Sequence, residues 1–157
     1  MAVATKSVTG RRTLHFDTLD DILADVKRLD RGPVKSLGNW TPGQNLAHLA
    51  LTMTRSLDGF SFQMAWPFRL LCKVMKPWFL RGAMPAGFQL SREGAADLDP
   101  PPTEWVDGLR ELRAVIGRLK TEPQRAKSPA FGTMTREEWD RLHCRHAKLH
   151  LSFLTPM

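Results

Sequence analysis

Three of the chain's five histidines, His143, His146 and His150, fall within the short C-terminal stretch "LHCRHAKLH", and a fourth, His48, stands in "NLAHLA". On a helix, residues four apart lie about 40° apart around the axis, so His146 and His150 project from one face, one turn from each other. At that spacing two imidazoles can share one first-row divalent metal, as in the two-histidine helical motifs of zinc enzymes. His143 is about 20° from His150 by the same geometry and is also within reach, whereas Cys144 points about 200° away from His146 and makes a poor co-ligand. Each ring alone has a plainer use, as a core histidine satisfied by one hydrogen bond. What favours a site is His48, at the edge of the apolar stripe of a second helix, where an unpaired polar ring is costly. Helical bundles build metal sites in this way, from side chains on facing helices.

Three protein ligands with further positions open describe a reactive or substrate-binding centre, since structural zinc usually has four. A divalent ion held by three neutral imidazoles favours the anionic form of water or of a thiol, so hydrolysis and thiol transfer are both within its chemistry. No helical carboxylate is well placed as a general base. Asp58 lies about 80° round and some 15 Å along the helix from His48, and Glu138 is two turns from His146 with a capping role of its own. Gln44, one turn before His48, either orients a ligand or caps its helix, and the cap is the readier use.

The elements that must carry these residues are helices. "DTLDDILADVKRLD" has Leu19, Ile22, Leu23, Val26 and Leu29 at helical spacing, with Asp17 or Thr18 as cap and an end at Gly32–Pro33. The helix bearing His48 starts at Thr41 as N-cap, with Pro42 first and Gln44 at the reciprocal capping position, and runs to about Leu57. A third long helix spans "PTEWVDGLRELRAVIGRLK", with Trp105, Leu109, Leu112, Val115, Ile116 and Leu119 inward. The last begins at Thr135 with a capping box through Glu138 and runs to about Leu154. No stretch of four or more residues alternates as a strand. The reading is all-α, four long amphipathic helices packed as a bundle.

Between the second and third of these, residues 60–102 mix aromatic, basic and proline residues, as in "WPFRLLCKVMKPWFLRGAMPAGFQL". One short helix about Phe68 to Met75 is expected there, then a long irregular excursion. Trp66, Trp78, Phe79 and Phe88 either cover the open end of the core or form a pocket wall, a partner surface or a membrane-surface patch, with the neighbouring Lys and Arg residues suiting the last.

Composition narrows the class. A chain of 157 residues, 42% hydrophobic and 25% charged, is the size of one domain, read as 13–157 behind a polar N-terminal tail, 1–12. Cys72 and Cys144 match neither a disulfide framework nor a paired-thiolate zinc ribbon, which suits a reducing, cytoplasmic setting. "TGRRTLHF" has the look of a twin-arginine signal, but "DTLDDILADVK" follows where an apolar segment is required. Arg69, Lys73 and Lys76 interrupt the most apolar region, so no membrane span is expected. The net charge of +7 is spread along the chain and comes with no nucleic-acid-binding motif, so specific nucleic-acid binding is not expected.

"GNWTPGQNLAHLA", with Trp, Pro and Gly ahead of a helical histidine, and "HCRHAKLH" together resemble the DinB-like and YfiT-like superfamily of metal-binding four-helix bundles. "RRTLHFDTLDDILADV", "SLDGF", "GFQL" and "FGTMTREEWDRLHCRHAKLHLSFL" resemble more specifically an uncharacterised bacterial domain-of-unknown-function branch of it, and the likeness runs from about Arg11 to Pro156. That resemblance implies an up-down-down-up bundle, often a homodimer, with one divalent ion, nickel or zinc, held by His48, His146 and His150. It leaves His143, with Gln44 and Trp40, to support or line the pocket. It implies a metal-dependent enzyme, a hydrolase or thiol-dependent transferase, acting on a small molecule with a thiol as possible cofactor. The alternative is a non-catalytic bundle that binds a metal or ligand, or an interaction protein using the aromatic and basic middle segment. Related sequences often carry a histidine before the Pro of "SPAFG", where this chain has Ser128, a departure that bears on the chemistry.

Overall fold

The computed structural model describes residues 3–82, 84–87 and 91–157. Phe88, and with it most of the "GFQL" stretch, lies outside the described residues. Those described form six α-helices, α1 (Leu19–Leu29), α2 (Pro42–Asp58), α3 (Trp66–Arg81), α4 (Arg92–Leu98), α5 (Trp105–Thr121) and α6 (Arg136–Leu151), with a single 3-10 turn at Thr5–Ser7 and two short strands, β1 (Val34–Ser36) and β2 (Leu154–Pro156). The fold is thus mostly helical.

Capping chemistry sets three of the starts. Thr18, Thr41 and Thr135 each accept a bond from the N3 backbone N–H, while the side-chain oxygens of Asp21, Gln44 and Glu138 accept from the backbone N–H of the cap, closing a reciprocal box on α1, α2 and α6. Each box satisfies two N–H groups that a helix start otherwise leaves bare. The expected bounds of α2 agree with the structure to within a residue, and α5 begins at Trp105, three residues inside the expected stretch, and ends at Thr121.

α2 packs along α5 and against α6, and α1 packs on α5 and α6. The glycines explain how closely α2 and α5 approach. A Cβ on Gly108 would lie 2.6 Å from the Gly43 carbonyl oxygen, and one on Gly43 would overlap the Thr103 carbonyl. The four helices share one core, to which Ile22, Leu49, Leu112, Ile116 and Leu151 each contribute a fully buried side chain. Each such side chain contributes roughly 1.5–3 kcal/mol by leaving water. The Arg12 guanidinium makes a bidentate pair with the buried Asp25 carboxylate, at 2.9 and 2.7 Å, and donates to the Leu151 carbonyl at the end of α6.

Four expectations change. The last helix stops at Leu151, not Leu154, because the chain turns at Ser152 and pairs antiparallel with β1, Ser36 opposite Leu154 and Val34 opposite Pro156. Strands of three residues are too short to register as alternation. The short helix expected about Phe68 to Met75 is a longer one, α3, which begins with Trp66 and Pro67 and continues through Pro77. Proline costs nothing in a first turn, where its missing N–H has no helical partner. The irregular excursion contains α4, capped by Ser91, whose hydroxyl accepts from Gly94 N–H at 3.2 Å. Finally, Trp66 and Trp78 do not cover the core: both are exposed. Of the described members of that group, Phe79 packs inward, beside a second cluster of Leu80, Phe131, Met134 and Trp139 between α3 and α6.

Candidate metal centre

α2 and α6 bring His48, His146 and His150 together, one ring nitrogen from each lying within 4.8 Å of the others. His48 Nε2 and His146 Nε2 are 3.2 Å apart. Two nitrogens each ~2.1 Å from one ion, and about 100° apart as seen from it, are separated by about 3.2 Å, so this pair fits a shared ion without rearrangement. The His146 and His150 rings sit edge to face at 4.6 Å, one helical turn apart, as the i, i+4 spacing requires. These three residues could hold a metal ion.

The orientation of His48 is set from outside the cluster. Its Nδ1 lies 2.8 Å from the Leu98 carbonyl, at the end of α4. A carbonyl only accepts, so Nδ1 carries the proton and donates, which leaves the Nε2 lone pair directed at His146. A histidine that donates its far nitrogen to a carbonyl while offering the near one is the usual arrangement of a metal-ligating ring. α4 is itself held in place by Asp97, a buried carboxylate paired with Arg55 of α2 at 2.9 Å and accepting from Ser61 N–H. Leu98, Asp97 and Arg55 were not foreseen from sequence. The available signal was "SREGAADL", a Ser-capped helical run hidden by its proline-rich surroundings.

Electrostatics favour neutral rings. Burial lowers the pKa of His48, opposed by the Leu98 hydrogen bond and by the nearby Asp99 carboxylate. Burial, and then the proximity of His48 and of charged or chargeable neighbours, holds His146 and His150 well below the usual histidine range. The rings are therefore unprotonated near neutral pH, the state in which imidazole binds a cation.

Trp40 forms one wall. Its ring lies 4.6 Å from that of His48 and stacks on that of His150 at 5.5 Å. The β1–β2 pair explains the placement, since it fastens the segment just before Trp40 to the chain just after His150. On the same side, Arg11 donates to Ser152 Oγ and lies 4.2 Å over the Phe153 ring.

The remaining sequence candidates are placed elsewhere. His143 is outside the cluster, 1% exposed, stacked on Trp139 and bonded through Nε2 to Ser56 Oγ at 2.9 Å. The Ser56 hydroxyl donates to the Met53 carbonyl, so Nε2–H of His143 is the donor to Ser56. Burial takes the His143 pKa down to about 3. Gln44 uses its side-chain oxygen to accept from Thr41 N–H at 3.0 Å, in the cap. Cys144 lies in the main core, and burial raises its thiol to about 12, so it stays protonated. Asp58 pairs with Arg118, and Glu138 with Lys76. Ser128 is buried in a tight turn, accepting from the N–H groups of Ala130 and Phe131 and bridging to Gly132, whose φ of 71° suits glycine.

Fold and site together define a mostly helical protein with three neutral imidazoles gathered where they could hold one metal ion. The chain belongs to the family described as protein of unknown function (DUF1569), whose model matches residues 8–157. No curated protein and no solved structure matches it. Among the described residues no helix is long and apolar enough to cross a membrane.

Proposed function

We propose that this is a metal-dependent enzyme, a hydrolase or thiol-dependent transferase acting on a small molecule, with His48, His146 and His150 as the ligands of one divalent ion. The observation that carries the reading is the convergence of the three rings with the His48 lone pair aimed inward by the Leu98 carbonyl. Neutral imidazoles are borderline ligands that suit zinc and nickel. An ion there would supply Lewis acidity, stabilising a hydroxide or thiolate form of a reactant at neutral pH. The protein's own part is to hold the rings unprotonated, to fix the His48 tautomer, and to exclude water on the Trp40 side.

The same reading takes the packing of α1, α2, α5 and α6 as an up-down-down-up four-helix bundle of the DinB-like type. It takes residues 13–157 as one domain, working in the cytoplasm as a homodimer. Elemental analysis of untagged protein tests the centre. About one zinc or nickel per chain is expected, lost on His146→Ala; a metal-free native protein that takes up neither ion on titration refutes it. With metal bound, turnover of ester or amide substrates against thiol addition to electrophiles divides hydrolase from transferase. No turnover of either kind by the loaded protein leaves a metal-binding bundle without catalysis.

A further inference from the structure

α3 is turned inside out. A surface helix ordinarily directs its apolar stripe at the core and its charges at water. Here Trp66, Phe68, Leu70, Leu71, Val74 and Trp78 all face solvent, Trp66 at 76% and Val74 at 75% exposure. With ~100° of rotation per residue, these side chains cover about 200° of the helix circumference. The inward side is narrow: Leu80 is its one buried residue, and Phe79 and Cys72 are half-buried. Lys76 lies on that inner side, fastened to Glu138 at the start of α6 at 2.6 Å.

Charge separates the possible occupants of this face. α3 holds four basic residues, Arg69, Lys73, Lys76 and Arg81, and no acidic one. Lys76 is neutralised by Glu138, and among the described residues no carboxylate pairs with the other three. A second copy docked face to face would set these cations against their own images, because a two-fold contact uses the same patch twice. An anionic surface complements them instead. The helix is 16 residues long, roughly 24 Å, short of the ~30 Å hydrocarbon core, so it suits a helix lying in the plane of a bilayer surface. Trp66 and Trp78 stand at the two ends of the exposed face, and tryptophan favours the headgroup boundary, where one side of the ring is apolar and the other wet.

We infer that α3 is an in-plane membrane-docking helix that recognises anionic phospholipid, inserting its tryptophan and aliphatic face between headgroups while the exposed Lys73 and Arg81 bind the lipid phosphates. This docks a globular body on a bilayer without a spanning segment.

The test is flotation of the full chain with phosphatidylcholine vesicles, with and without phosphatidylserine, supported by quenching of tryptophan emission by brominated lipid. Binding is expected to the anionic vesicles only, to fall with added salt, and to weaken about tenfold or more in the Lys73→Glu, Arg81→Glu double variant, each surface cation being worth about fivefold. Val74→Glu should abolish the quenching. All these positions are on or near the exposed face, and unchanged far-UV circular dichroism would show that the variants fold. Wild-type protein that floats with neither vesicle, or equally with both, overturns the inference. So does self-association abolished by Val74→Glu in a protein that ignores lipid, which would make the face a contact between copies.

Discussion

α2 and α3 are nearly equal in length, 17 and 16 residues, and both read as amphipathic with apolar residues at helical intervals, yet one carries the core and the other turns away from it. α2 is closed by the Thr41 box, seated on α5 through Gly43 and Gly108, and buries Leu46, Leu49 and Met53 completely or nearly so. α3 starts at Ala65 with no side-chain cap, has Pro77 in its interior, and is held by Leu80 and the Lys76–Glu138 pair. Hydrophobic periodicity thus identifies a helix without saying which way it faces. The seating glycines and the caps distinguish the two. Where a helix must approach another backbone closely, the sequence carries glycines at the contact, and α3 has none within it.

The sharpest way to break this contrast is to truncate each apolar face. Met53→Ala on α2 should cost roughly 2–5 kcal/mol, the range for emptying a packed core position. Chemical denaturation gives the value, and a cost below about 1 kcal/mol would mean that the α2 face is not packed as described. Gly108→Ala probes the close approach itself. Its methyl would sit 2.6 Å from a backbone oxygen that cannot swing aside, so a loss of about 1–3 kcal/mol is expected, with α2 displaced from α5.

The candidate site was legible in the sequence because its signals are local. The i, i+4 spacing of His146 and His150, and the cap that sets the phase of α2 at His48, need no knowledge of tertiary structure. The supporting contacts were not legible, since they arrive from distant segments. The Leu98 carbonyl that orients His48 is fifty residues away, and backbone acceptors leave no side-chain signature. His143 illustrates the opposite limit: helical phase placed it within reach of His150, but Ser56 of α2 and Trp139 draw its ring into the core. The fold divides similarly. The four core helices followed from period and caps, while β1 and β2 are too short to alternate and α4 is masked by the prolines around it.

The histidines also make a pH prediction. His48, His143, His146 and His150 all have pKa values lowered in the folded protein, His143 to about 3. The unfolded chain, with histidine near 6.5, therefore binds protons first as the solution is acidified. The stability these rings allow is complete above pH ~6.5 and is lost as pH falls from there towards 3, with a slope of up to about 1.4 kcal/mol per pH unit for each ring. In metal-free protein His143→Leu, which fills a similar volume, should flatten the pH dependence between 6 and 4 by up to one such increment. An unchanged slope would mean that this ring is not buried neutral. Smaller in effect is Thr41→Ala, which removes one side of the α2 box and should cost about 0.5–2 kcal/mol, read by thermal unfolding.

The smallest expected effect is the most informative about the difference between the helices. Val74 occupies on α3 the kind of apolar position that Met53 occupies on α2, but it faces water, so Val74→Ser removes little buried surface and leaves no cavity. Stability should change by no more than ~0.5 kcal/mol, the usual range for a surface substitution. A large loss would show that α3 is covered in the folded protein, by a second copy if the loss depends on protein concentration. A near-zero effect on folding beside a clear effect on vesicle binding would separate what the apolar residues of α3 do for the fold from what they do at a surface. The chain keeps seven large apolar side chains in water on this one helix, and their cost in solubility is not offset by anything they contribute to the core.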